Sequence, residues 1–175
     1  MGTLPRIISM IALASLSLVA CACSAPIDEY YKTRAKAEKA FAAGDTPTAF
    51  ADTLCCADMA ENVLHRPDWA SWRYNNLGFY LIQKFQTVTD ILERQSSLEV
   101  VRPDMRVEYK KELKDSMTKN INLLRQAQIY LAMALDIEAW HMPKHLQSKE
   151  RLRMIMANLN YAKEQIEYVE DPNRL

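Results

Sequence analysis

Apolar residues recur along this chain at steps of three and four, the spacing that gathers them on one face of an α-helix. Between about Trp69 and Gln95 the stripe is Leu77, Leu81, Phe85, Val88 and Leu92. Pro103 opens a further helix that extends to about Trp140, with Leu113, Met117, Ile121, Leu124, Leu131 and Leu135 on its apolar face, and Pro143 closes it. From about Lys144 to Val169 the positions Leu152, Ile155, Leu159, Ala162, Ile166 and Val169 alternate in a manner suited to an antiparallel neighbour. Ahead of these, an Ala-rich helix spans about Asp28 to Ala43, where Gly44 stops it. The next helix has Thr46 as its N-cap and Pro47 in its first turn, and reaches about Leu64. Arg66, Pro67 and Asp68 form the break that follows. No stretch alternates with period two for long enough to make a strand. The expected fold is therefore all-α, with about five helices in antiparallel pairs or a bundle.

Composition agrees, because the chain holds only three glycines and is rich in Ala, Leu, Met, Lys, Glu and Gln, which favour helix. The charge balance removes one class of partner. Of 22 basic residues only Arg6 falls in the first 20 positions, so the rest of the chain carries 21 basic against 22 acidic residues. Nucleic-acid binding calls for a basic excess or a basic face. The nearest approach to one, Lys110, Lys111 and Lys114, is interleaved with Glu108, Glu112 and Asp115 and reads as a solvated helix face.

The first 20 residues form a different segment. Arg6 precedes an apolar run from Ile7 to Val19, interrupted only by Ser9, Ser15 and Ser17, and polar residues return at Ser24, Asp28 and Glu29. A membrane-spanning helix needs roughly 20 apolar residues, so this length is that of a signal peptide. The run closes on Leu18, Val19, Ala20 and Cys21, which resembles the lipobox of bacterial lipoproteins. The resemblance implies that Cys21 becomes the lipid-bearing first residue of the mature protein. It implies membrane anchoring through several acyl chains, since two chains hold where one holds only marginally. Ala22 stands where the family uses Asp for inner-membrane retention, so the implied location is the outer membrane, facing the periplasm. The expected organisation is a signal peptide over 1–20, a lipidated tether over 21–28, one helical domain over 29–170 and a tail over 171–175. About 155 residues after the first 20 suffice for an ordinary core without metals or disulfides. With Cys21 committed to lipid, Cys23, Cys55 and Cys56 remain, an odd number. Cys55 and Cys56 are neighbours on a helix and diverge by about 100°, so one can be core while the other faces outward. A bridge from Cys23 to either stays open; no CxxC redox motif occurs.

A second resemblance covers about Tyr30 to Phe85. The run Tyr74, Asn75, Asn76, Leu77, Gly78, Phe79, Tyr80 and Leu81 is similar to the first helix of a tetratricopeptide (TPR) repeat. Upstream, Ala40 to Asp45 followed by Ala49, Thr53 and Cys56 resembles the turn and second helix of such a repeat. Gly78 would let a neighbouring helix approach closely, with Leu77 and Leu81 filling the seam. The later helices are longer than ordinary repeats, so the expectation is TPR-like helix pairs at the front and a long-helix hairpin or bundle behind. In TPR proteins the first helix of each pair lines a concave face that holds a peptide or partner helix. Carried over, that face presents Trp72, Asn75, Phe79, Ile82 and Gln83, with Asn76 nearby, so that aromatic anchors and amides grip a partner backbone.

Little else points to chemistry. Glu138 and His141 have the Glu-x-x-His spacing of carboxylate di-iron bundles, but that site needs a second copy, and the other pairing, Glu61 with His65, is spaced by four. Pro143 separates His141 from His145. Met133, Met142, Met154 and Met156 read as gap-filling core residues rather than copper or haem ligands. No phosphate loop, nucleophile elbow or Ser/Cys-His-Asp pattern occurs. The sequence thus predicts a lipid-anchored, non-enzymatic binder of another envelope protein, serving as an assembly factor, pilotin or scaffold, with no cofactor. The alternative is a helical carrier of a small ligand, haem or metal for an envelope transporter.

Overall fold

The computed structural model describes residues 25–98 and 100–171, so Cys21 and Cys23 lie outside the described residues. Among the described residues every regular element is helical: α1 (25–42), α2 (Thr46–Asp58), α3 (Pro67–Thr89), α4 (Ile91–Ser97), α5 (Arg106–Asp136) and α6 (Lys149–Glu170). The fold is all-α.

Local chemistry sets the boundaries, and several differ from the sequence expectation. Residues 25–28, expected as tether, are already helical. Gly44 does end α1, at φ +77°, a conformation that costs glycine little. The N-cap of α2 is Asp45 rather than Thr46: its Oδ1 accepts the Thr48 N–H at 3.2 Å. The expected long third helix divides, because Asp90 takes a left-handed conformation at φ 50°. Thr89 is buried and its hydroxyl donates to the Phe85 carbonyl at 2.7 Å, taking the core position just before the break. Val88 and Leu92, expected on the apolar stripe, are exposed: the covered face of α3 runs through Ile82, Phe85 and Thr89, and after the turn Ile91 rather than Leu92 enters the core. A short 3₁₀ turn at Lys144–Leu146 precedes α6, which starts at Lys149 with Ser148 as its cap. Both α2 and α5 end in π turns, Met59–Val63 and Ile137–His141.

Helix α3 is the centre of the fold, packing on α2, α5 and α6. Its C-terminal half joins one core cluster: Leu81, Ile82 and Phe85 meet Leu113, Met117, Ile121, Leu124 and Leu131 of α5 and Leu159, Ala162, Ile166 and Val169 of α6. The α5 and α6 stripes are those read from the sequence. The N-terminal half of α3 joins a second cluster, where Ala70, Tyr74 and Leu77 pack with Tyr30 of α1 and with Cys56, Ala57 and Ala60 at the end of α2. Phe50, Tyr130 and Leu135 touch both clusters. Of the methionines expected to fill gaps, Met142 is buried, whereas Met133, Met154 and Met156 are exposed.

Gly78 occupies the contact between α3 and α5. A Cβ there would come within 2.8 Å of Leu131 Cδ2 and closer still to its Cγ, and Leu131 is itself fully buried. Overpacking of this kind costs about 1–3 kcal/mol, against a gain of roughly 1 kcal/mol from replacing a helical glycine by alanine. Gly78→Ala should therefore destabilise the protein in thermal or urea unfolding. In a Leu131→Ala background the same substitution should become stabilising, because the clash is gone and the helix propensity remains.

The adjacent thiols separate as expected. Cys55 is exposed, Cys56 is fully buried, and both are free. Burial pushes the Cys56 thiol up to about 11, and its Sγ lies 3.8 Å from the Tyr30 carbonyl oxygen, to which it donates. Maleimide labelling at pH 8 followed by peptide mapping should modify Cys55 within minutes, and Cys56 only once denaturant opens the core.

Candidate functional site

Along α3, Trp72, Asn76, Phe79 and Gln83 fall on one stripe; the first three are half-buried and Gln83 is exposed. The two remaining residues expected on an open face are packed inside. Ile82 belongs to the core shared with α5 and α6. Asn75 is 2% exposed, and its Oδ1 accepts a hydrogen bond from Asn158 Nδ2 of α6 at 3.0 Å. The reason is rotation: residues 75 and 82 sit about 60–100° round the helix from that stripe, where α6 and α5 cover α3. Phe79 leans on Phe41 of α1, with ring centroids 6.3 Å apart, and Phe41 also stacks on Tyr80 at 4.3 Å. Gln83 donates to Gln86 at 3.0 Å.

At the N-terminal end of this stripe the chain builds a pocket of about 210 Å³. Tyr30, Tyr31 and Arg34 contribute from α1, Asp68, Trp69, Trp72 and Arg73 from α3, and Arg151 from α6. Tyr30 stacks on Trp69 at 4.7 Å with 22° between the rings, and Arg66 caps the other side of that stack, its Cζ 4.1 Å from the Trp69 ring. Arg66 grips Asp68 with two hydrogen bonds of 2.9 and 2.7 Å. That bonding holds the Asp68 carboxyl below its ordinary value. Arg73 is 3% exposed. Burial raises the Tyr30 hydroxyl above its ordinary value, and the positive charge of Arg73 draws it partly back.

One buried ion pair holds α6 against this pocket. Glu138, 3% exposed, accepts Arg151 Nε at 2.6 Å and Nη2 at 3.0 Å, and also the Ser148 N–H at 2.8 Å. Ser71 of α3 donates to the Ala134 carbonyl at 3.2 Å and lies 3.5 Å from Glu138 Oε2. Glu138 therefore ties together α3, the end of α5 and the start of α6. His141 turns away instead, to Asp136 Oδ2 at 3.3 Å, so the Glu138 and His141 of the di-iron spacing do not converge.

A second, larger cleft of about 400 Å³ opens between the two π turns. It is lined by Glu61 and His65 on one side, Asp136, Ile137 and His141 on the other, with Pro67 and Ala70 beneath. Tyr74 donates to Glu61 Oε2 at 2.6 Å, and burial followed by this contact raises the Tyr74 hydroxyl well above its ordinary value. Among the described residues no group of three or more His, Cys, Asp or Glu side chains is placed to hold a metal ion. No described helix is long and apolar enough to cross a membrane. On α5, Ile129 and Met133 are exposed four residues apart, and Trp140 in the π turn that follows is also exposed.

The sequence reading passed over Arg73, Tyr30, Tyr31 and Arg151. A signal for Arg73 existed: it lies three residues after Ala70 and four before Leu77, a charge on an otherwise apolar face. No protein-family model, curated protein or solved structure matches this chain.

The Glu138 and Arg151 pair allows a direct test. Removing one member leaves the other charge buried, at a cost of about 3–5 kcal/mol, whereas replacing both with apolar residues of similar volume is far less harmful. Glu138→Met alone should lower the unfolding midpoint sharply. The double variant Glu138→Met/Arg151→Met should recover most of that loss.

Proposed function

We infer that this chain is a lipid-anchored helical protein of the outer membrane, facing the periplasm, that works by binding another envelope protein rather than by catalysis. An assembly factor, pilotin or scaffold of an outer-membrane or secretion complex fits that reading. The carrying observation is the stripe of Trp72, Asn76 and Phe79, which α1 leaves half uncovered, with Gln83 exposed at its end. Rigid aromatic anchors and amides are the residue types that supply binding energy and hold a backbone. In the TPR-like reading this is the partner face, now reduced to those four residues because Asn75 and Ile82 are committed to packing.

The compartment rests on Leu18, Val19, Ala20 and Cys21, with the lipobox resemblance and its implied acylation. Tyr31, on the rim of the pocket beside Trp72, follows Cys21 by only ten residues. Lipid at Cys21 would confine the binding face to a surface and raise its local concentration there.

The alternative, a carrier of a small ligand, is favoured by one observation: the pocket beside Trp72 contains a buried guanidinium. That chemistry suits a small anion better than haem or a metal.

Two measurements test the main reading. Intact-mass analysis of the protein from its native membrane should give a mass increment of acyl chains on Cys21, abolished in Cys21→Ser. Crosslinking in intact envelopes should capture a defined partner whose yield drops at least about tenfold in Trp72→Ala/Phe79→Ala while the fold is retained. An unmodified amino terminus overturns the anchoring, and equal capture by wild type and variant overturns the binding face.

A further inference from the structure

The pocket beside Trp72 has an electrostatic imbalance that the partner reading does not use. Three of the guanidiniums around it are matched: Arg34 Nε bonds Glu38 at 2.7 Å, Arg66 bonds Asp68 at 2.7 Å, and Arg151 bonds Glu138 at 2.6 Å. Arg73 is the fourth, and it has no carboxylate of its own. Its nearest ion-pair contact is Nη1 to Glu38 Oε1 at 3.9 Å, the same oxygen that Arg34 already occupies. Its side chain is 4% exposed and its Nε has no hydrogen-bond partner.

A guanidinium carries five N–H donors in a flat fork suited to an oxyanion. Burying such a charge with only a shared carboxylate 3.9 Å away leaves much of its desolvation cost uncompensated. An oxyanion arriving from outside would offset that cost. Around the pocket four positive charges face three negative ones, so a single negative charge completes the set; a phosphate dianion would reverse the imbalance. The volume, about 210 Å³, is that of roughly seven waters at about 30 Å³ each, which is the size of a carboxylate with a short organic stem. Trp72 and Tyr31 also line the pocket, and Tyr31 is 46% exposed, so their rings are within reach of the stem in an otherwise largely polar lining.

We propose that this pocket is a binding site for a carboxylate group, held by Arg73 and walled by Trp72 and Tyr31. The carboxylate has two sources of the same chemistry, a Glu or Asp side chain on another protein or a free organic acid. The site does not depend on which of the two readings of function holds.

The test is a titration of the full-length protein followed by the Arg73 Nε–H and Trp72 indole N–H resonances. Phenylacetate represents the free acid and acetyl-Ala-Glu-Ala-amide the protein-borne one; phenylacetamide and acetyl-Ala-Gln-Ala-amide are their uncharged counterparts. At least one carboxylate should shift both resonances saturably, and its uncharged counterpart should not. Tighter binding of the peptide assigns the source to a protein and tighter binding of phenylacetate to a small acid. Arg73→Gln should weaken the binding at least about tenfold, the scale of one charge-assisted hydrogen bond. The wild-type comparison of acid with amide decides the matter even where that variant folds poorly. Shifts that fail to saturate with both carboxylates, equal shifts from the amides, or saturation by inorganic phosphate alone would overturn the proposal.

Discussion

The meeting of Gly78 with Leu131 fixes the distance between α3 and α5, and the rest of the packing follows from that distance. Leu131 fills the space that any side chain on residue 78 would need. With the two axes drawn together there, α6 can lie against both, and Leu159, Ala162 and Ile166 close the core from the third side. The N-terminal half of α3 then extends beyond that core far enough to carry Ala70, Tyr74 and Leu77 into a second cluster with Tyr30, Cys56, Ala57 and Ala60. One missing Cβ thus governs how five helices share a single central rod.

Polar order is concentrated at the end of that rod where α5 finishes and α6 begins. Glu138 is fully enclosed and draws bonds from Arg151 and from the backbone of Ser148, with Ser71 beside it. A buried charge pair contributes little net stability, because desolvation offsets most of the attraction. Its effect is on geometry: it specifies where the turn between α5 and α6 sits and so brings Arg151 to the wall of the pocket that Arg73 also lines.

Helical periodicity made much of this legible in advance. The stripes of α5 and α6 are buried at the residues the spacing marks except Leu135 and Leu152, which are half-buried, and Gly78 stands at a close helix contact, as its place between Leu77 and Leu81 implied. Helix ends were less legible. Capping by Asp45 instead of Thr46 shifts a boundary by one residue, and the left-handed turn at Asp90 lies within an unbroken apolar pattern that gives no warning of it. Of the candidate face, Trp72, Asn76, Phe79 and Gln83 share one stripe of α3, whereas Asn75 and Ile82 lie round the helix against α6 and the core. The charged pocket was not legible, since Arg34, Arg73 and Arg151 meet only through tertiary packing of residues far apart in sequence.

The turn at Asp90 gives the molecule two unlike ends. By redirecting the chain so that Ile91 enters the core beside Leu113, it plugs the extremity opposite Arg151 with aliphatic side chains. The buried pair of Glu138 and Arg151 lies at the other extremity. One left-handed residue thus sets the interior apart at the two ends, aliphatic around Ile91 and Leu113 and ion-paired around Glu138 and Arg151.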